Sequence, residues 1–386
     1  MTIIVTGADG YVGWPAMLRL AVKYPDEKII GIDNEAKKLW SQEIGIWSAI
    51  PTYSMEKRID TFERVFGQNN IIYRKFDLRN RRKLLDLFIQ TEPHSIVHLA
   101  AQPSGPYSML DAEHSISTQM NNIGSTLSLL HSIKDVIPDA HLIELTGMAL
   151  YGLEIPEFYM ELTTAGFYGF PEIDAIDWYH LSKVFDSNNL RFGQLVYNLS
   201  ITDFRIGIVH GTHTEEISKN EKLATSFYFD FWFGTLLNRF CAQASVDYPL
   251  TVYGKGGQTR AYISLDDAVE MLSYAIERKA ECQYNVINAY VDCASVREIA
   301  EMIQQAGKNL GMDIAIMTVP NPRMEIEECY TPEDTGLTSI GFQPKDTIDS
   351  NLETILIDLA RVKERIKAKK DKFLPRILRD KAKITK

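Results

Sequence analysis

The chain has 386 residues, of which 45% are hydrophobic, and its formal net charge is −10. A chain of this length can bury a large core and is expected to form two lobes. The acidic balance disfavours non-specific nucleic-acid binding. No apolar run approaches the length of a membrane span, and a strand predicted from residue 2 leaves no room for a targeting segment. These features favour a cytoplasmic protein.

Strands and helices alternate through the first half of the chain. Apolar runs predict strands at 2–6, 28–33, 70–76, 95–99, 141–146 and 200–206. The intervening patterns predict helices at 11–23, 81–90, 111–136 and 178–199, and residues 35–68 interrupt the alternation. Such alternation indicates a parallel sheet covered by helices on both faces, and right-handed crossovers make it doubly wound. We therefore predict a Rossmann-type α/β domain over residues 1–206.

The second half is less regular. Residues 207–260 are rich in loop-forming and aromatic residues. Beyond them the pattern predicts helices at 265–279 and 296–310 and strands at 283–288 and 314–319. We predict a smaller, mixed lobe over 207–360, with segments that can interleave with the first domain.

The end of the chain is basic. Residues 361–386 hold 12 Lys and Arg against 3 Asp and Glu. The favoured interpretation is a solvated basic tail, and the alternative is attachment to an acidic surface or anionic lipid.

The cysteine pattern argues against a metal site. No pair of the four cysteines forms a CxxC motif, and their spacings match no zinc pattern; they are Cys241, Cys282, Cys293 and Cys329. We therefore expect reduced thiols and no bound metal.

A glycine motif follows the first predicted strand. In TGADGYVG, residues 6–13, the three glycines are Gly7, Gly10 and Gly13. Such glycines permit a tight turn, let a pyrophosphate approach the backbone, and let helix and strand pack closely. The positive end of the following helix favours the same anion. This motif predicts a dinucleotide cradle.

An acid at the second strand end selects the dinucleotide. Asp33 comes about 20 residues after the motif, where a carboxylate accepts hydrogen bonds from the ribose hydroxyls. A carboxylate there repels a 2′-phosphate, so NAD is favoured over NADP. Because backbone N–H groups bind the phosphates, Asp9 is expected to point outward or to cap the first helix. The other expected cofactor contacts are Tyr11, Val12, Asn34, Asp77, Leu78, Leu99, Ala100, Ala101 and Asn122.

Tyr179 and Lys183 form a Tyr-x-x-x-Lys pair, which shares one face of a helix. A nearby ammonium favours the phenolate, as does the positive nicotinamide ring of oxidised cofactor, and both lower the tyrosine pKa from its usual value of about 10. Tyr179 can then take a proton from a sugar hydroxyl as hydride leaves the same carbon. Lys183 can also hold the nicotinamide ribose. His180 is a candidate acid or base, with a packing histidine as the alternative.

These motifs together resemble the extended short-chain dehydrogenase/reductases that act on nucleotide sugars. A closer resemblance, to the UDP-sulfoquinovose synthase family, runs over nearly the whole chain. It is carried by GADGYVGW, AQPSGPYSM, YHLSK, FGTLLNRFCAQA, LTVYGKGGQTR and MTVPNPRMEIEE. The resemblance implies tightly bound NAD, oxidation of UDP-glucose at C4, elimination of the C6 hydroxyl, addition of sulfite to the enone, and return of hydride to C4. It also implies a homodimer formed through helices that include the Tyr-Lys helix.

The resemblance also implies a set of substrate contacts. Arginines suit the diphosphate of a UDP-sugar because they bind it in a bidentate manner. The expected substrate residues are Gln102, Asn238, Arg239, Thr251, Gln258, Arg260 and Arg323.

The chain departs from the family pattern at three places. Gly147 occupies the place of the catalytic Thr, and Thr146 stands one residue earlier, where it can substitute only if the backbone shifts. The acidic pair of ordinary sugar 4,6-dehydratases is replaced by Met148 and Ala149, although the synthase family itself lacks that pair. Ala101 and Pro103 replace a Glu and an Arg, and the missing Arg weakens the sulfite step most.

Two alternatives therefore stay open. A UDP-sugar 4-epimerase, including one that acts on a sulfonated sugar, needs no acid pair. A catalytically idle NAD-binding sensor or scaffold is supported by Gly147 and opposed by the intact Tyr179 and Lys183.

Overall fold

The computed structural model describes residues 1–151, 175, 177–278, 283–321 and 336–375. Seven strands form one parallel sheet: β1 (Thr2–Thr6), β2 (Lys28–Asp33), β3 (Ile71–Lys75), β4 (Ser95–His98), β5 (His141–Leu145), β6 (Ser200–Ile206) and β10 (Tyr284–Ala289). Their order is β3-β2-β1-β4-β5-β6-β10. The strand order reverses at β1, which is where ligands bind in such folds. The prediction of a doubly wound parallel sheet is confirmed.

The helices of the first half are α1 (Gly13–Lys23), α2 (Ala36–Glu43), α3 (Met55–Phe66), α4 (Arg81–Thr91), α5 (Gly105–Ser108), α6 (Ala112–Val136) and α7 (Trp178–Tyr197). Alternate residues of β1 pack on opposite sides of the sheet, as the strand period requires. Ile3 lies in the core formed with α1, whereas Ile4 lies in the core formed with α4, α6 and α7. The sheet is thus buried on both faces, which explains the near-continuous apolar runs of its strands.

The interrupting stretch, residues 35–68, contains the helices α2 and α3, which the sequence analysis did not predict. Ser54 caps α3 by accepting a hydrogen bond from the Lys57 N–H group, and Gly67 ends it with a φ of 68°. This Ser and Gly pair is a recognisable start and stop signal, so α3 could have been found from sequence.

The smaller lobe is mixed, as predicted. Its strands are β7 (Ile208–His210), β8 (Leu250–Tyr253), β9 (Thr259–Ser264), β11 (Asp292–Ser295) and β12 (Ile316–Val319). They form a three-stranded sheet, β11-β9-β7, and a pair, β12-β8. The helices of the second half are α8 (Leu236–Ser245), α9 (Leu265–Glu277), α10 (Val296–Asn309), α11 (Ile348–Arg361) and α12 (Lys363–Lys367).

The two lobes interleave along the chain. β10 completes the main sheet beside β6, and α9 packs on α1 in the same core as β1. The strand and helix therefore return to the first domain after the chain has entered the second lobe. The boundary at residue 206 stays a prediction.

The expectation of a solvated tail is wrong for residues 363–374, here called the C-terminal segment. Ile366, Phe373 and Leu374 are at most 3% exposed. Phe373 lies beside the rings of Phe229 and Tyr248, at centroid distances of 5.7 and 5.2 Å. Apolar side chains alternate with the cations of this segment and form its buried face. A count of charges does not detect such a face. Residues 376–386 lie outside the described residues.

Across the described ranges, no helix combines the length and the apolar character that crossing a membrane requires.

Candidate active site

A cavity of about 880 Å³ opens beside the carboxyl ends of β1, β2, β4 and β5. Both lobes contribute to its wall, since the glycine motif faces residues of α8 and β9. The predicted site residues in the wall are Gly7, Asp9, Gly10, Tyr11, Val12, Gly13, Asp33, Asn34, Leu78, Leu99, Ala100, Ala101, Thr146, Tyr179, His180, Lys183, Arg239, Gln258 and Arg260. The cavity thus brings the predicted cofactor and catalytic residues together.

The glycine motif forms a tight turn between β1 and α1. Gly7 has a φ of +69°, and a Cβ atom there would lie 2.7 Å from the Leu99 carbonyl group. At Gly13 a Cβ atom would lie 1.9 Å from the carbonyl oxygen of Gly7. Larger residues are therefore excluded at both positions. The turn aims the first N–H groups of α1 at the cavity side of the sheet.

Asp9 neither points outward nor caps α1, contrary to the prediction. The residue before α1 is Val12, and no side-chain cap is formed there within the described structure. The Asp9 carboxylate instead pairs with Arg58 of α3 and with Lys38 of α2, whose Nζ atom lies 2.6 Å away. Arg58 is fully buried over the Trp14 ring. Asp9 therefore ties the glycine motif to the interrupting stretch.

Asp33 shapes the loop that it faces. Its Oδ2 atom accepts a hydrogen bond from the Asp9 N–H group at 2.9 Å, and its Oδ1 atom accepts one from Glu35 at 2.6 Å. Burial raises the pKa of Asp33, while these two hydrogen bonds oppose the rise. Each carboxylate oxygen has a second lone pair, so the group can still accept from a ribose.

Two predicted cofactor contacts lie behind the cavity wall rather than in it. Asp77 accepts hydrogen bonds from Arg79, which lower its pKa to about 2, and from Asn34 at 3.0 Å. Asn122 is buried, accepts from the Gln102 N–H group at 2.8 Å, and donates to Ser182 Oγ at 2.8 Å. Both residues hold loops in place, because their polar atoms are taken up by the protein.

Lys183 is anchored on the side away from the cavity. Its Nζ atom donates to Glu144 Oε1 of β5 at 3.1 Å and lies 3.7 Å from Asp186 Oδ2. Burial opposes the charged lysine, but these two carboxylates outweigh it and raise the pKa of Lys183. The lysine is thus held as an ammonium beside Tyr179.

The protein groups around Tyr179 oppose the predicted lowering of its pKa, which stays a prediction for the complex with oxidised NAD. Burial, the largest influence, raises the pKa of Tyr179, and Lys183 opposes the rise without overcoming it. Asp177, Asp186 and Glu144 add to the rise because their charges repel a phenolate.

His180 is oriented by a neighbouring carboxylate. Asp177 caps α7 by accepting from the His180 N–H group at 2.9 Å, and its Oδ2 atom lies 2.8 Å from His180 Nδ1. The imidazole is therefore fixed at the start of the helix, in the cavity wall.

The hydroxyl of Thr146 is directed at a carboxylate rather than at the cavity. Its Oγ1 atom donates to Asp203 Oδ1 of β6 at 2.5 Å. Gly147 has a φ of +96°, a backbone conformation that a β-branched residue avoids. Thr146 thus does not replace the missing threonine, because its proton is already donated to Asp203.

Sequence reasoning missed several residues of the wall, above all Lys37. Its Nζ atom lies over the rings of Tyr228 and Phe233, at 4.5 and 5.8 Å from their centroids. Burial lowers the pKa of Lys37 to about 8, while Asp230, Asp33 and Asp9 oppose the shift. Lys37 follows Asp33 by four residues, and this closeness to a predicted cofactor residue could have marked it as a residue of the site.

The predicted substrate residues divide into two groups. Arg239, Gln258 and Arg260 line the cavity, and Arg239 donates to the Tyr253 hydroxyl at 2.8 Å. Gln102, Asn238 and Thr251 do not line it; Gln102 donates to Thr118, and Thr251 accepts from Gln243. Arg323 lies outside the described residues.

Comparisons with known proteins identify the family of this chain. Residues 3–289 match the model of the NAD dependent epimerase/dehydratase family. The chain is 38% identical to a UDP-sulfoquinovose synthase of Sulfolobus acidocaldarius, over 97% of each chain. It is 37% identical to the chloroplastic UDP-sulfoquinovose synthase of Spinacia oleracea, over 95% of this chain and 77% of the relative.

A solved structure shows the same fold. The UDP-glucose-4-epimerase of Stenotrophomonas maltophila, which has bound NAD and formylated UDP-arabinopyranose, superposes with a TM-score of 0.72. The match covers 94% of this chain and 99% of that one at 17% identity. From the family match and the two relatives together, this chain belongs to the NAD-dependent epimerase/dehydratase family, in the group that contains the UDP-sulfoquinovose synthases.

Proposed function

We propose that this protein binds NAD and a UDP-hexose, oxidises the sugar at C4, and makes UDP-sulfoquinovose from UDP-glucose and sulfite. The observation that carries the proposal is the shared cavity, whose wall includes the glycine motif, Asp33, Tyr179 and Lys183. The names of the two sequence relatives support the choice of product.

The residues of the cavity fit NAD. The glycine turn leaves no room for a Cβ atom at Gly7 or Gly13, so a pyrophosphate can approach the backbone and the N-terminus of α1. We assign Asp33 to the adenosine ribose and Lys37 to the pyrophosphate, since an ammonium in this wall complements phosphate charge. When bound, NAD accepts a hydride from C4 and later returns it.

Tyr179 is the base that we assign to the C4 hydroxyl. Its phenol takes the hydroxyl proton, and the ammonium of Lys183 stabilises the resulting phenolate. Thr146 is not available to assist, because its hydroxyl donates to Asp203.

His180 is the base that we assign to the elimination step. A 4-keto group acidifies the C5 proton, and the imidazole held by Asp177 lies in the same cavity wall as Tyr179. Asp177 orients the ring and stabilises the imidazolium that forms.

The diphosphate of the UDP-sugar is assigned to Arg239 and Arg260, with Gln258 beside them. Arg239 is 4% exposed and Gln258 is 3% exposed, so both are preorganised by packing rather than recruited from solvent. Arg323 belongs to this proposal on the resemblance alone.

A UDP-sugar 4-epimerase is the second candidate function. Ala101 and Pro103 line the cavity where the family pattern has a carboxylate and a guanidinium. Their neutrality removes a partner for sulfite, whereas C4 inversion needs only hydride transfer and rotation of the keto sugar.

We also propose a homodimer formed through α6 and α7. Large apolar side chains are exposed on these two packed helices: Ile116, Met120, Leu127, Phe185, Phe192, Leu195 and Val196. A contiguous exposed apolar face on a folded chain marks an interaction surface.

Replacement of Tyr179 by Phe tests the proposed chemistry. The variant loses the phenolic base, so turnover of UDP-glucose should fall by about 100-fold or more, while UDP-sugar affinity stays within about threefold. Product formation and equilibrium binding are the measurements. Tyr197→Phe is the matched control, because Tyr197 ends the same helix and lies beside the His131 ring, outside the cavity wall. Unchanged turnover in Tyr179→Phe would exclude the assignment.

A further inference from the structure

A buried carboxylate lies directly behind the lysine of the Tyr-Lys pair. Glu144 is on β5, a central strand of the sheet, and it is 1% exposed. An ionisable side chain in such a strand is destabilising unless it is paired. Its partner is the ammonium of Lys183, which donates to Glu144 Oε1 at 3.1 Å.

The other oxygen of Glu144 faces a buried histidine. His98 of β4 is 1% exposed, and its Nε2 atom lies 3.6 Å from Glu144 Oε2. Its Nδ1 atom lies 2.6 Å from Thr6 Oγ1, and that oxygen accepts from the N–H groups of Leu99 and Ala100 at 3.2 and 3.4 Å. Because both lone pairs of Thr6 Oγ1 are then used, Thr6 donates its own proton to Nδ1, which leaves the imidazole proton on Nε2, on the side of Glu144. No hydrogen bond spans the 3.6 Å between His98 and Glu144, so the two groups interact through charge and dipole alone.

Two other carboxylates, those of Asp186 and Asp203, also act on Glu144. Asp186 lies 3.7 Å from Lys183 Nζ, on the same turn of α7. Asp203 of β6 pairs with Glu144 in the sheet register, and its oxygens accept from Thr146, Ser187 and Tyr284. Glu144 lies on the sheet and is the nearer partner of Lys183. Its Oε1 atom is 3.1 Å from Lys183 Nζ, whereas Asp186 Oδ2 is 3.7 Å away.

We propose that Glu144 is a positioning residue for Lys183, fixing its ammonium beside Tyr179 and setting through its negative charge the pH range in which the Tyr179 phenol ionises. The inference rests on the proposed function, since that proposal assigns the Tyr-Lys pair to C4 oxidation.

The charge of Glu144 has a defined sign of effect. Burial raises the pKa of Glu144 to about 8, so its carboxylate is ionised in the alkaline range in which a tyrosine titrates. There, an anion behind Lys183 disfavours a phenolate and favours an ammonium, so it raises the pKa of both Tyr179 and Lys183. Removal of that charge lowers both values, and the whole pH profile of the oxidation step moves to lower pH. A merely structural role would reduce the rate without moving the profile.

Replacement of Glu144 by Gln or Asp separates charge from geometry. With the intact protein and UDP-glucose, the rate of cofactor reduction is followed by absorbance from neutral to alkaline pH. Glu144→Gln should move the rising limb to lower pH by roughly one unit and reduce the maximal rate, with KM little changed. Glu144→Asp keeps the charge but draws it back from Nζ, so the midpoint should be retained while the rate falls.

A second readout does not depend on turnover. Ultraviolet titration of each protein without substrate, with the Tyr179→Phe background subtracted, reports the ionisation of Tyr179 itself. The same shift to lower pH is expected for Glu144→Gln. Glu144→Asp retains a charged partner for the buried Lys183, so it guards against a failure of the Gln variant to fold, and its midpoint should stay in place.

Glu216→Gln is the matched control, because Glu216 forms a buried pair with Arg19 at 2.5 Å outside the cavity wall. It should lower thermal stability without moving either midpoint. Glu144 variants that lose rate with unmoved midpoints would overturn the inference. If the wild type forms no product from UDP-hexoses, with or without sulfite, the proposed function fails, and the Tyr179 titration still decides the role of Glu144.

Discussion

At the scale of single residues, the partners of the buried charged side chains determine the geometry of the site. Asp9 pairs with Arg58 and Lys38, and Lys183 pairs with Glu144. Lys37 instead lies against aromatic rings in the cavity wall. A cation stacked in this way keeps its N–H donors for a ligand, which is why we assign it to phosphate.

The pH dependence of cofactor binding tests the role of Lys37. Burial lowers its pKa to about 8, so the ammonium is present below that pH and is lost as the pH rises through it. Affinity for NADH should therefore fall about five- to tenfold between neutral pH and one unit above this pKa. Lys37→Met should bind more weakly at neutral pH and lose most of this dependence, as measured by fluorescence titration.

Lys57→Met is the matched control for Lys37, because Lys57 also lies over a tyrosine ring, that of Tyr53, but outside the cavity wall. It should retain both the affinity and the pH dependence of the wild type. An equally steep pH dependence in Lys37→Met would show that another group is responsible.

Residue roles were predictable where local spacing determines them. The glycine motif, Asp33, Tyr179 and Lys183 follow from short-range patterns, and all line one cavity. The hydrogen bond of Thr146 to Asp203 was not predictable, because it depends on the pairing of β5 with β6. Glu144 was missed for the same reason, since its partner is distant in sequence.

At the scale of elements, the interrupting stretch and the C-terminal segment hold each other in place. Arg365 donates to the carbonyl oxygens of Ser48 and Ala49, both at 3.1 Å, and Lys372 donates to that of Ile44 at 2.8 Å. Lys369 lies over the Trp47 ring at 4.0 Å. These basic side chains thus donate hydrogen bonds to backbone oxygens beside the cavity. The net charge of the segment gives no indication of these contacts.

Truncation of Phe373 tests the docking of the C-terminal segment. Phe373 is fully buried, so Phe373→Ala should lower the free energy of unfolding by about 3–5 kcal/mol, measured by chemical denaturation. Ile357→Ala is the control, because Ile357 is 44% exposed and should change it by less than about 0.5 kcal/mol. A negligible effect of Phe373→Ala would mean that the segment does not dock.

The exposed face of α6 and α7 carries the prediction about oligomeric state. Phe192 and Leu195 are 59% and 67% exposed, and a charge in the centre of an apolar interface is strongly unfavourable. The wild type should sediment as a dimer and Phe192→Glu as a monomer. Ile89→Glu should remain dimeric, because Ile89 is equally exposed but lies on α4. A monomeric wild type would contradict the proposal.

Element prediction succeeded where periodicity was strong. The strands of the main sheet lie within a residue or two of the predicted ranges, since buried parallel strands read as continuous apolar runs. The strands β7, β8, β9 and β11 were missed, because they pair with segments distant in sequence. Turn-rich sequence there gave no local signal for them.

At the scale of the whole molecule, two interleaved lobes enclose one cavity. The main sheet supplies the glycine motif and the Tyr-Lys helix, and the smaller lobe supplies Arg239, Gln258 and Arg260. The residues that we assign to the cofactor thus lie on one wall and those that we assign to the substrate lie on the other. The fold class was predictable from alternation, whereas the closure of one lobe on the other was not.

The central claim is that this cavity makes a sulfonated sugar nucleotide from UDP-glucose. The most direct measurement is mass analysis of the products after incubation of the purified protein with UDP-glucose, with and without sulfite. The account predicts a sulfonated product that forms only when sulfite is present and that Tyr179→Phe does not form. A product of unchanged mass with inverted C4, formed equally without sulfite, would contradict the claim and establish the 4-epimerase.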